Sequence, residues 1–278
     1  MSGIHLTLAL LMAMEPALWA QGDPAAIKPD GTVRLFDGKS LDQFTTWLVD
    51  HHESDPNHVF TVVDQIDGAP AIRISGQNWG GILTKNRYRD YRLLVEYRWG
   101  PVTWGERRSR TRDSGILLHA QGPPGNSRKD FNGPWMRSIE FQIIEGGVGD
   151  FILVGGHTDD GELLRPTMKA KTRKDRDGET VFDANGPVNV LSSGRINWWG
   201  RSEDWADRLG FRGPKDVESP GEAWTKLEAV VDKGRFSYYV NGTLVNEGFD
   251  CSLTEGRLLF QSEGAEIYFR RIDLEPLK

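Results

Sequence analysis

The sequence predicts an all-β fold, and three observations support that prediction. Short runs of β-branched and aromatic residues recur between turn signals along most of the chain. In these regions no amphipathic helical pattern is sustained for three turns. Asn241-Gly242 stands between Tyr239-Val240 and Thr243-Leu244, which is typical of a tight hairpin turn. We therefore expect a sandwich of two antiparallel sheets rather than alternating strands and helices.

The predicted strands form two groups, each run being apolar or β-branched and bounded by Gly, Pro, Asn or Asp. The first group comprises residues 32–36, 59–63, 71–75, 81–85, 92–98, 115–119 and 138–144. The second group comprises residues 225–231, 235–240, 258–261 and 266–269. The pattern of short strands is interrupted at 157–221, a segment rich in Lys, Arg, Asp, Gly and Pro. We interpret this segment as a long insertion or a set of loops. Charge clusters at 107–112 and 169–176 are expected to be solvated surface.

Composition limits the classes of protein to consider. A chain of 278 residues with 38% hydrophobic content can bury one sizeable core, so we expect one principal domain over 32–278. The formal net charge of -6 favours no polyanionic partner, which places nucleic acid far down the list of partners. Ten Trp, six Tyr and twelve Phe offer flat faces that suit sugar rings, although ordinary cores use the same residues.

The beginning of the chain resembles a secretory signal. Residues 4–13 are an apolar run too short to span a bilayer, and Trp19-Ala20-Gln21 is a candidate cleavage zone. We expect a signal peptide at 1–20, a linker at 21–31, export to the periplasm or medium, and no membrane span in the mature chain. Cys251 is the only cysteine, so no disulfide can form within the chain.

The stretch from Ser138 to Gly147 is the most informative for chemistry. Because successive strand side chains alternate, Glu140 and Gln142 share one face while Ile139, Phe141 and Ile143 share the other. A second carboxylate, Glu145, precedes a glycine pair that can redirect it. The pattern allows an acid and base pair for catalysis, and equally a half-solvated strand with polar residues outward.

A set of motifs in a fixed order carries a family resemblance. The motifs are Leu35-Phe36-Asp37-Gly38-Lys39-Ser40-Leu41, Asp113-Ser114-Gly115-Ile116, Ile139-Glu140-Phe141-Gln142, Trp224, Val240-Asn241-Gly242, Leu259-Phe260-Gln261 and Tyr268-Phe269-Arg270-Arg271-Ile272. From about residue 33 to residue 277 the chain resembles the 3-keto-disaccharide hydrolase domain family, formerly a domain of unknown function. The combination is far more specific than any one motif.

This resemblance implies a concanavalin A-like jelly roll, usually exported by bacteria, acting on glycosides whose sugar ring carries a ketone at C3. The ketone acidifies the hydrogen at C2, so a base can remove that proton and the glycosidic oxygen at C1 can leave by elimination. Addition of water to the enone then gives net hydrolysis. Such an enzyme needs a base near C2, an electrophile for the enolate oxygen and an acid for the leaving group.

Given this resemblance, Glu140 and Glu145 are candidates for the proton transfers, and His119 is the third candidate catalytic residue. Gly115, Leu117 and His119 are predicted to share a strand face, with His119 acting as base, as acid or as ligand to a divalent cation. The candidate substrate-binding residues are Gln142, Arg137, Trp135, Trp79, Asp150, His157, Gln261 and Glu263. Each of these also has an ordinary structural interpretation as a core, turn or surface residue.

The sequence departs from the family pattern at three places. Asp113 stands where an Asn is usual, Thr225 stands where an Asn is common, and the 157–221 segment is longer than in compact members. A laminarinase-type glycosidase is an alternative, although Gln142 occupies the middle position where that class has an acidic residue. A non-catalytic carbohydrate-binding module is a second alternative. The family's chemistry also predicts an upstream sugar 3-oxidoreductase as a partner.

Overall fold

A computed structural model of the chain describes residues 24–278. The predicted signal peptide at 1–20 and the start of the predicted linker lie outside the described residues. Within this range no helix is long and apolar enough to cross a membrane.

The regular secondary structure of the described residues consists almost entirely of strands, as the sequence predicts. The strands before residue 155 are β1 (Val33–Arg34), β2 (Phe44–Leu48), β3 (Phe60–Ile66), β4 (Ala69–Ile74), β5 (Gly80–Thr84), β6 (Tyr91–Thr103), β7 (Asp113–Gln121), β8 (Arg137–Ile144) and β9 (Phe151–Val154). Six short strands follow: β10 (Gly156–His157), β11 (Leu163–Leu164), β12 (Met168–Lys174), β13 (Thr180–Phe182), β14 (Val188–Leu191) and β15 (Gly194–Ile196). The chain closes with β16 (Thr225–Asp232), β17 (Arg235–Val240), β18 (Thr243–Gly248), β19 (Arg257–Ser262) and β20 (Ala265–Pro276). A single turn of 3-10 helix, Gly105–Arg108, lies between β6 and β7.

Two antiparallel sheets form a jelly-roll sandwich, which confirms the predicted fold class. One sheet has the order β18-β17-β16-β6-β20-β4-β3, with β1 alongside β20, and the other has the order β15-β9-β8-β7-β19-β5-β2. Neighbours such as β7 and β19 are far apart in sequence, so each sheet is completed only when both ends of the chain are in place.

The core lies between the two sheets and is set by the alternation of side chains. Ile139, Phe141 and Ile143 of β8 belong to this core. Phe141 stacks on Tyr238 of the opposite sheet, with ring centroids 4.0 Å apart and planes 6° from parallel. Glu140 and Gln142 consequently point to the outer face of the seven-stranded sheet, as their spacing predicts.

The hairpin predicted at Asn241-Gly242 is present between β17 and β18. Asn241 and Gly242 have φ values of 48° and 82°, the left-handed conformation that a type I′ turn requires at both central positions. Asn tolerates this region better than most residues, and Gly adopts it freely. The turn therefore explains this dipeptide without any further role.

The 157–221 segment, expected to be an insertion or a set of loops, contains regular strands. It contains β11 to β15, of which β12, β13 and β14 form a separate three-stranded sheet. The predicted charge cluster at 169–176 falls largely within β12 rather than in a loop. β15 pairs with β9 and thus becomes the edge strand of the seven-stranded sheet. The segment therefore extends the sheet that carries Glu140.

Candidate active site

The outer face of the seven-stranded sheet brings polar residues from three strands into one cleft. In the strand register Gln142 of β8 lies opposite Gly115 of β7, and Gln261 of β19 lies opposite Gly81 of β5. Glu140, Gln142 and Gln261 are 4%, 2% and 1% exposed, so covering segments shield them from bulk solvent. Buried polar groups that converge in this way are typical of a ligand site rather than of a solvated strand.

Gly115 makes this convergence possible. A Cβ atom at this position would lie well inside van der Waals contact with Oε1 of both Gln261 and Glu140. The absent side chain therefore leaves the space above β7 into which the carboxamide and the carboxyl group project. A glycine within a strand often marks such a close approach.

Three carboxyl groups form the centre of the cleft, and we call Asp113, Glu140 and Glu263 the carboxyl cluster. Asp113 Oδ1 accepts a 2.6 Å hydrogen bond from Gln142 Nε2, while its Oδ2 accepts one from Arg107. The same Arg107 nitrogen lies 3.4 Å from Glu263 Oε1. Arg107 thus bridges two members of the cluster and offsets part of their mutual repulsion.

Burial and mutual repulsion raise the pKa of every carboxyl group in the cluster. Burial, together with the charge of Asp113, raises the pKa of Glu140 to about 8. Burial likewise raises the pKa of Asp113 to about 7, although Arg107 opposes the change. Burial and the charges of Asp113 and Glu140 raise the pKa of Glu263 well above its ordinary value. Carboxyl groups that titrate near neutrality are suited to proton transfer.

A second arginine reaches the cluster from β15. In the strand register Arg195 of β15 and Glu140 of β8 both lie opposite Ile152 of β9, so their side chains project from the same face of the sheet. The charge of Arg195 lowers the pKa of both Glu140 and Asp113. Arg195 is held by Asp150, whose Oδ2 accepts a 3.2 Å bond from it. Asp150 is fully buried and also accepts hydrogen bonds from the Trp198 amide at 2.7 Å and from Arg201. Asp150, predicted as a substrate-binding rim residue, is instead saturated by protein donors and orients Arg195.

Two carboxamide oxygens in the cleft have no protein partner. Oε1 of Gln142 and Oε1 of Gln261 are buried and make no hydrogen bond within residues 24–278. An unpaired buried acceptor costs about 1–3 kcal/mol, so such groups are normally paired when the site is in use. Both oxygens can accept from a hydroxyl group, which matches the sequence-based expectation that these residues bind sugar.

Glu145 is not brought together with Glu140. Its carboxylate accepts hydrogen bonds from the Arg112 amide and guanidinium, at 2.9 Å and 2.7 Å, and from the Gly210 amide at 2.8 Å. The Glu145 carbonyl accepts a further 2.9 Å bond from the indole of Trp205. Glu145 therefore anchors the 205–210 loop to the end of β8, and its predicted place beside Glu140 is wrong.

His119 lies in the core between the sheets, so the prediction that it shares a face with Gly115 and Leu117 is wrong. A register shift follows Leu118, and His119 itself has a φ of 54°, which turns its side chain inward. Its ring packs edge-on against Tyr91 and Phe236 of the opposite sheet, with centroids 5.6 Å and 5.2 Å away. Its Nδ1 donates a 3.0 Å hydrogen bond to a backbone carbonyl.

Of the other predicted substrate-binding residues, some lie together and others lie away from Glu140. Trp79 and Trp135 contact each other with centroids 5.9 Å apart, and Trp79 is 44% exposed, so together they offer an accessible aromatic surface. Arg137 contacts Gln121 at 3.4 Å rather than Glu140. His157 is half-buried, and its Nδ1 lies 3.2 Å from a backbone carbonyl outside the cluster. The structure therefore brings the tryptophans together and leaves Arg137 and His157 apart from Glu140.

Within the described residues the carboxyl cluster lacks the arrangement of a metal centre. Among residues 24–278 no three His, Cys, Asp or Glu side chains are arranged to hold a metal ion. Arg107 occupies the space between Asp113 and Glu263, where a cation would need to lie. The predicted divalent cation therefore has no ligand set here on which to base a step, and it stays a prediction.

Sequence reasoning missed three members of the site, namely Asp113, Arg107 and Arg195. In the sequence Asp113 stands out only as a departure from the family pattern, and the 107–112 charge cluster predicts a solvated Arg107. Both join the cluster because Asp113 begins β7 on the same face as Gly115. Arg195 had no signal in its local sequence, since its position depends on β15 pairing with β9.

The comparisons with known proteins identify the family. The model of the 3-keto-alpha-glucoside-1,2-lyase-like domain matches residues 31–275. The chain belongs to this family. Membership confirms the resemblance drawn from the motifs and supports a carbohydrate-active enzyme. No curated protein matches the chain.

Solved structures with related folds are distant in sequence. A candidate glycosyl hydrolase from Parabacteroides distasonis ATCC 8503 shares 17% identity, with a TM-score of 0.48 and coverage of 89% of this chain and 94% of that chain. A β-glucanase from Bacillus licheniformis shares 9% identity, with a TM-score of 0.43 and coverage of 89% and 99%. The carbohydrate-binding module CBM66 from Bacillus subtilis shares 15% identity, with a TM-score of 0.39 and coverage of 84% and 95%. At these values the likenesses carry no argument about activity.

The close approach at Gly115 gives a test of the site's geometry. We expect Gly115→Ala to lower the free energy of unfolding by about 1–3 kcal/mol, because the added methyl group overpacks a buried cleft. Urea denaturation measures the change. Gly31→Ala is the matched control, since a Cβ there meets nothing within 4 Å. Equal stability of the two variants would contradict the packing described here.

The core position of His119 gives a test by pH. Burial lowers the pKa of His119 from 6.5 to about 4. Between pH 4 and pH 6.5 the imidazole is therefore protonated in the unfolded chain and neutral in the folded chain. Stability contributed by neutral His119 is complete above pH 6.5 and is lost as the pH falls toward 4. We expect the wild type to lose up to about 1.4 kcal/mol more per pH unit than His119→Asn across this window. If the free energy of unfolding, measured by urea denaturation, changed equally with pH in the wild type and in His119→Asn, a buried and neutral His119 ring would be contradicted.

Proposed function

We propose that this protein cleaves 3-keto-glycosides by removing the proton at C2, eliminating the C1 substituent and then adding water. The observation that carries the proposal is the carboxyl cluster, because it places groups that titrate near neutrality in one shielded cleft. Family membership supports the same class of substrate. The reaction needs a base, an acid and a cation for the enolate, and each has a candidate among the residues of the cleft.

Glu140 is the proposed base. Both carboxylate oxygens of Asp113 are engaged by Arg107 and Gln142, whereas among residues 24–278 Glu140 has only the Gln261 carboxamide as a hydrogen-bonding neighbour. With a pKa of about 8, Glu140 is a strong base once it is ionised, and a useful fraction is ionised near neutral pH. It takes the C2 proton as the C2 electron pair moves toward the C3 ketone.

Glu263 is the proposed acid, and Arg195 is the proposed partner of the enolate oxygen. Burial and the charges of Asp113 and Glu140 raise the pKa of Glu263, which favours its protonated form, and its side chain is 14% exposed and therefore accessible to a ligand. As the enolate re-forms the ketone, the bond between C1 and the glycosidic oxygen breaks, and that oxygen takes the proton from Glu263. Water then adds at C1 of the enone and a proton returns to C2, which releases the free 3-keto sugar.

The sugar ring is proposed to bind through hydroxyl and aromatic contacts. The unpaired Oε1 atoms of Gln142 and Gln261 accept from ring hydroxyls, and Trp79 with Trp135 offers an apolar surface for a ring face. An exported enzyme of this type would receive its substrate from an oxidoreductase that installs the ketone. The signal-like residues 1–20 support export, and the family's chemistry supports supply by such an oxidoreductase.

The decisive experiment compares a 3-keto-glucoside with its parent glucoside, each with and without a chelator. Enone absorbance and released aglycone are followed together. Turnover of the keto sugar alone supports the proposal, and sensitivity to the chelator would assign a metal. Cleavage of the parent alone would instead favour a laminarinase-type glycosidase. Binding of sugars without any turnover would identify a carbohydrate-binding module.

Replacing the proposed base should abolish its proton transfer. We expect Glu140→Gln to lower kcat/KM for the 3-keto-glucoside by about 10²- to 10⁴-fold, the usual contribution of a positioned base. In the wild type kcat/KM should rise with pH through about 8, because Glu140 must lose its proton to act. Stopped-flow enone absorbance across pH 5 to about 9 measures both. If kcat/KM of Glu140→Gln still rose with pH as in the wild type, Glu140 would be excluded as the base.

Removing the charge of Asp113 should shift the pH dependence of kcat/KM to lower pH. Asp113 raises the pKa of Glu140, so Asp113→Asn lowers it, and the rise of kcat/KM should move to lower pH. The Asn carbonyl can still accept the hydrogen bond from Gln142. Asp250→Asn, whose side chain is 62% exposed, is the charge-matched control and should leave the profile in place. An unmoved profile in Asp113→Asn would contradict the coupling.

A further inference from the structure

We propose that Trp104 is a positioning residue for Glu263, the proposed leaving-group acid. The backbone of Trp104 holds the link that carries Glu263, and its indole holds the segment that supports this link. The inference rests on the proposed function for the role of Glu263. The role of Trp104 rests on hydrogen bonds and close contacts of the structure.

Glu263 lies where two connections cross side by side between the sheets. Glu263 and Gly264 alone join β19 of the seven-stranded sheet to β20 of the eight-stranded sheet. The connection from β6 to β7 starts beside this link, because Ala265 pairs with Thr103, the residue before Trp104. With only two residues in the link, the direction of the Glu263 side chain depends on how firmly the backbone of the link is held.

A closed ring of hydrogen bonds holds this link. The Gly264 amide donates to the Gly76 carbonyl at 3.0 Å, and the Gly264 carbonyl accepts from the Trp104 amide at 2.7 Å. The Trp104 indole donates at 2.8 Å to the carbonyl of Ser75, next to Gly76. Trp104 therefore bonds both to the link and to the segment behind it. Because Ser75 is buried, bulk water does not readily replace a lost indole donor.

Trp104 also holds the backbone of Arg107, the cation beside the acid. The Trp104 carbonyl accepts a 2.9 Å hydrogen bond from the Arg107 amide. The Arg107 side chain passes directly over Gly264, where an added Cβ atom would lie 2.7 Å from Arg107 Cγ. The guanidinium then reaches Asp113 and Glu263. One tryptophan thus supports both the acid and the arginine that pairs with it.

The consequence of this support concerns protonation of the leaving group. A misplacement of about 1 Å can cost about 10²-fold in rate, because proton transfer depends on the distance and angle between donor and acceptor. A leaving group that departs as a stable anion does not need the proton, so a displaced acid slows only substrates with poor leaving groups. A general loss of folding or binding slows both classes of substrate alike. The dependence of the rate on the leaving group therefore separates positioning from a purely structural role.

The test compares kcat/KM for the methyl 3-keto-glucoside, which has a poor leaving group, with kcat/KM for the nitrophenyl 3-keto-glucoside, which has a good one. Trp104→Phe keeps an aromatic ring and removes the indole donor. We expect this variant to lose about tenfold or more on the methyl glycoside and less than about threefold on the nitrophenyl glycoside. Glu263→Gln should show the same selectivity with a larger loss. Trp224→Phe, the matched control, loses a 2.8 Å indole bond just before β16 of the other sheet and should leave both values in place.

If Glu263→Gln shows this selectivity and Trp104→Phe does not, the inference is overturned. If the protein turns over no keto sugar, or Glu263→Gln shows no selectivity, the proposed role of Glu263 fails and a measurement without substrate decides the inference. NMR of the labelled carboxyl carbons follows the titration of Glu263, and Glu263→Gln identifies its signal.

The expected result follows from the burial of this carboxyl group. Burial and the charges of Asp113 and Glu140 raise the pKa of Glu263 in the wild type. When the link loosens in Trp104→Phe, the carboxyl group gains solvent, so its pKa should fall toward the ordinary value, while Trp224→Phe should leave it unchanged. A fall in Trp104→Phe supports the positioning even without turnover, and an unchanged pKa in that case overturns it.

Discussion

The site depends on burying three carboxyl groups on one face of a β-sheet. Isolated burial of a charge is very costly, so such groups either keep their protons or acquire positive partners. The carboxyl cluster does both: Arg107 bridges Asp113 and Glu263, Arg195 projects from the same sheet face as Glu140, and burial raises the pKa values, which favours the neutral forms. Gly115 supplies the space without which Glu140 and Gln261 could not approach.

The 157–221 segment is tied to the sandwich by two buried acidic anchors. Glu145 receives donors from Arg112 and Gly210, and Asp150 receives donors from Trp198, Arg195 and Arg201. Breaking such a buried pair by removing one partner costs about 3–5 kcal/mol, so these anchors hold the segment firmly. The segment in turn places Arg195 on the sheet face that carries Glu140. Glu145, predicted as a catalytic residue, and Asp150, predicted as a substrate-binding residue, thus anchor this segment to the sandwich.

The sequence supported a good part of the fold and some of the site. Alternation along β8 predicted which face of the strand carries Glu140 and Gln142, and the motif order predicted the family. The prediction failed for His119, because a single residue at positive φ after a register shift reverses the side-chain direction. It failed for Glu145, because the partners that capture its carboxylate are at positions 112 and 210.

By itself, the sequence determined the all-β class, the hairpin at Asn241-Gly242 and the polar face of β8, because each follows from local alternation or turn chemistry. Only the tertiary structure decided which charges meet. Arg107, Asp113, Arg195 and Glu263 come from four separate segments, and their contacts depend on β7 pairing with β19 and on β15 pairing with β9. Electrostatic interactions act through space over a few ångströms, so a pKa near neutrality arises only after the sheets have assembled.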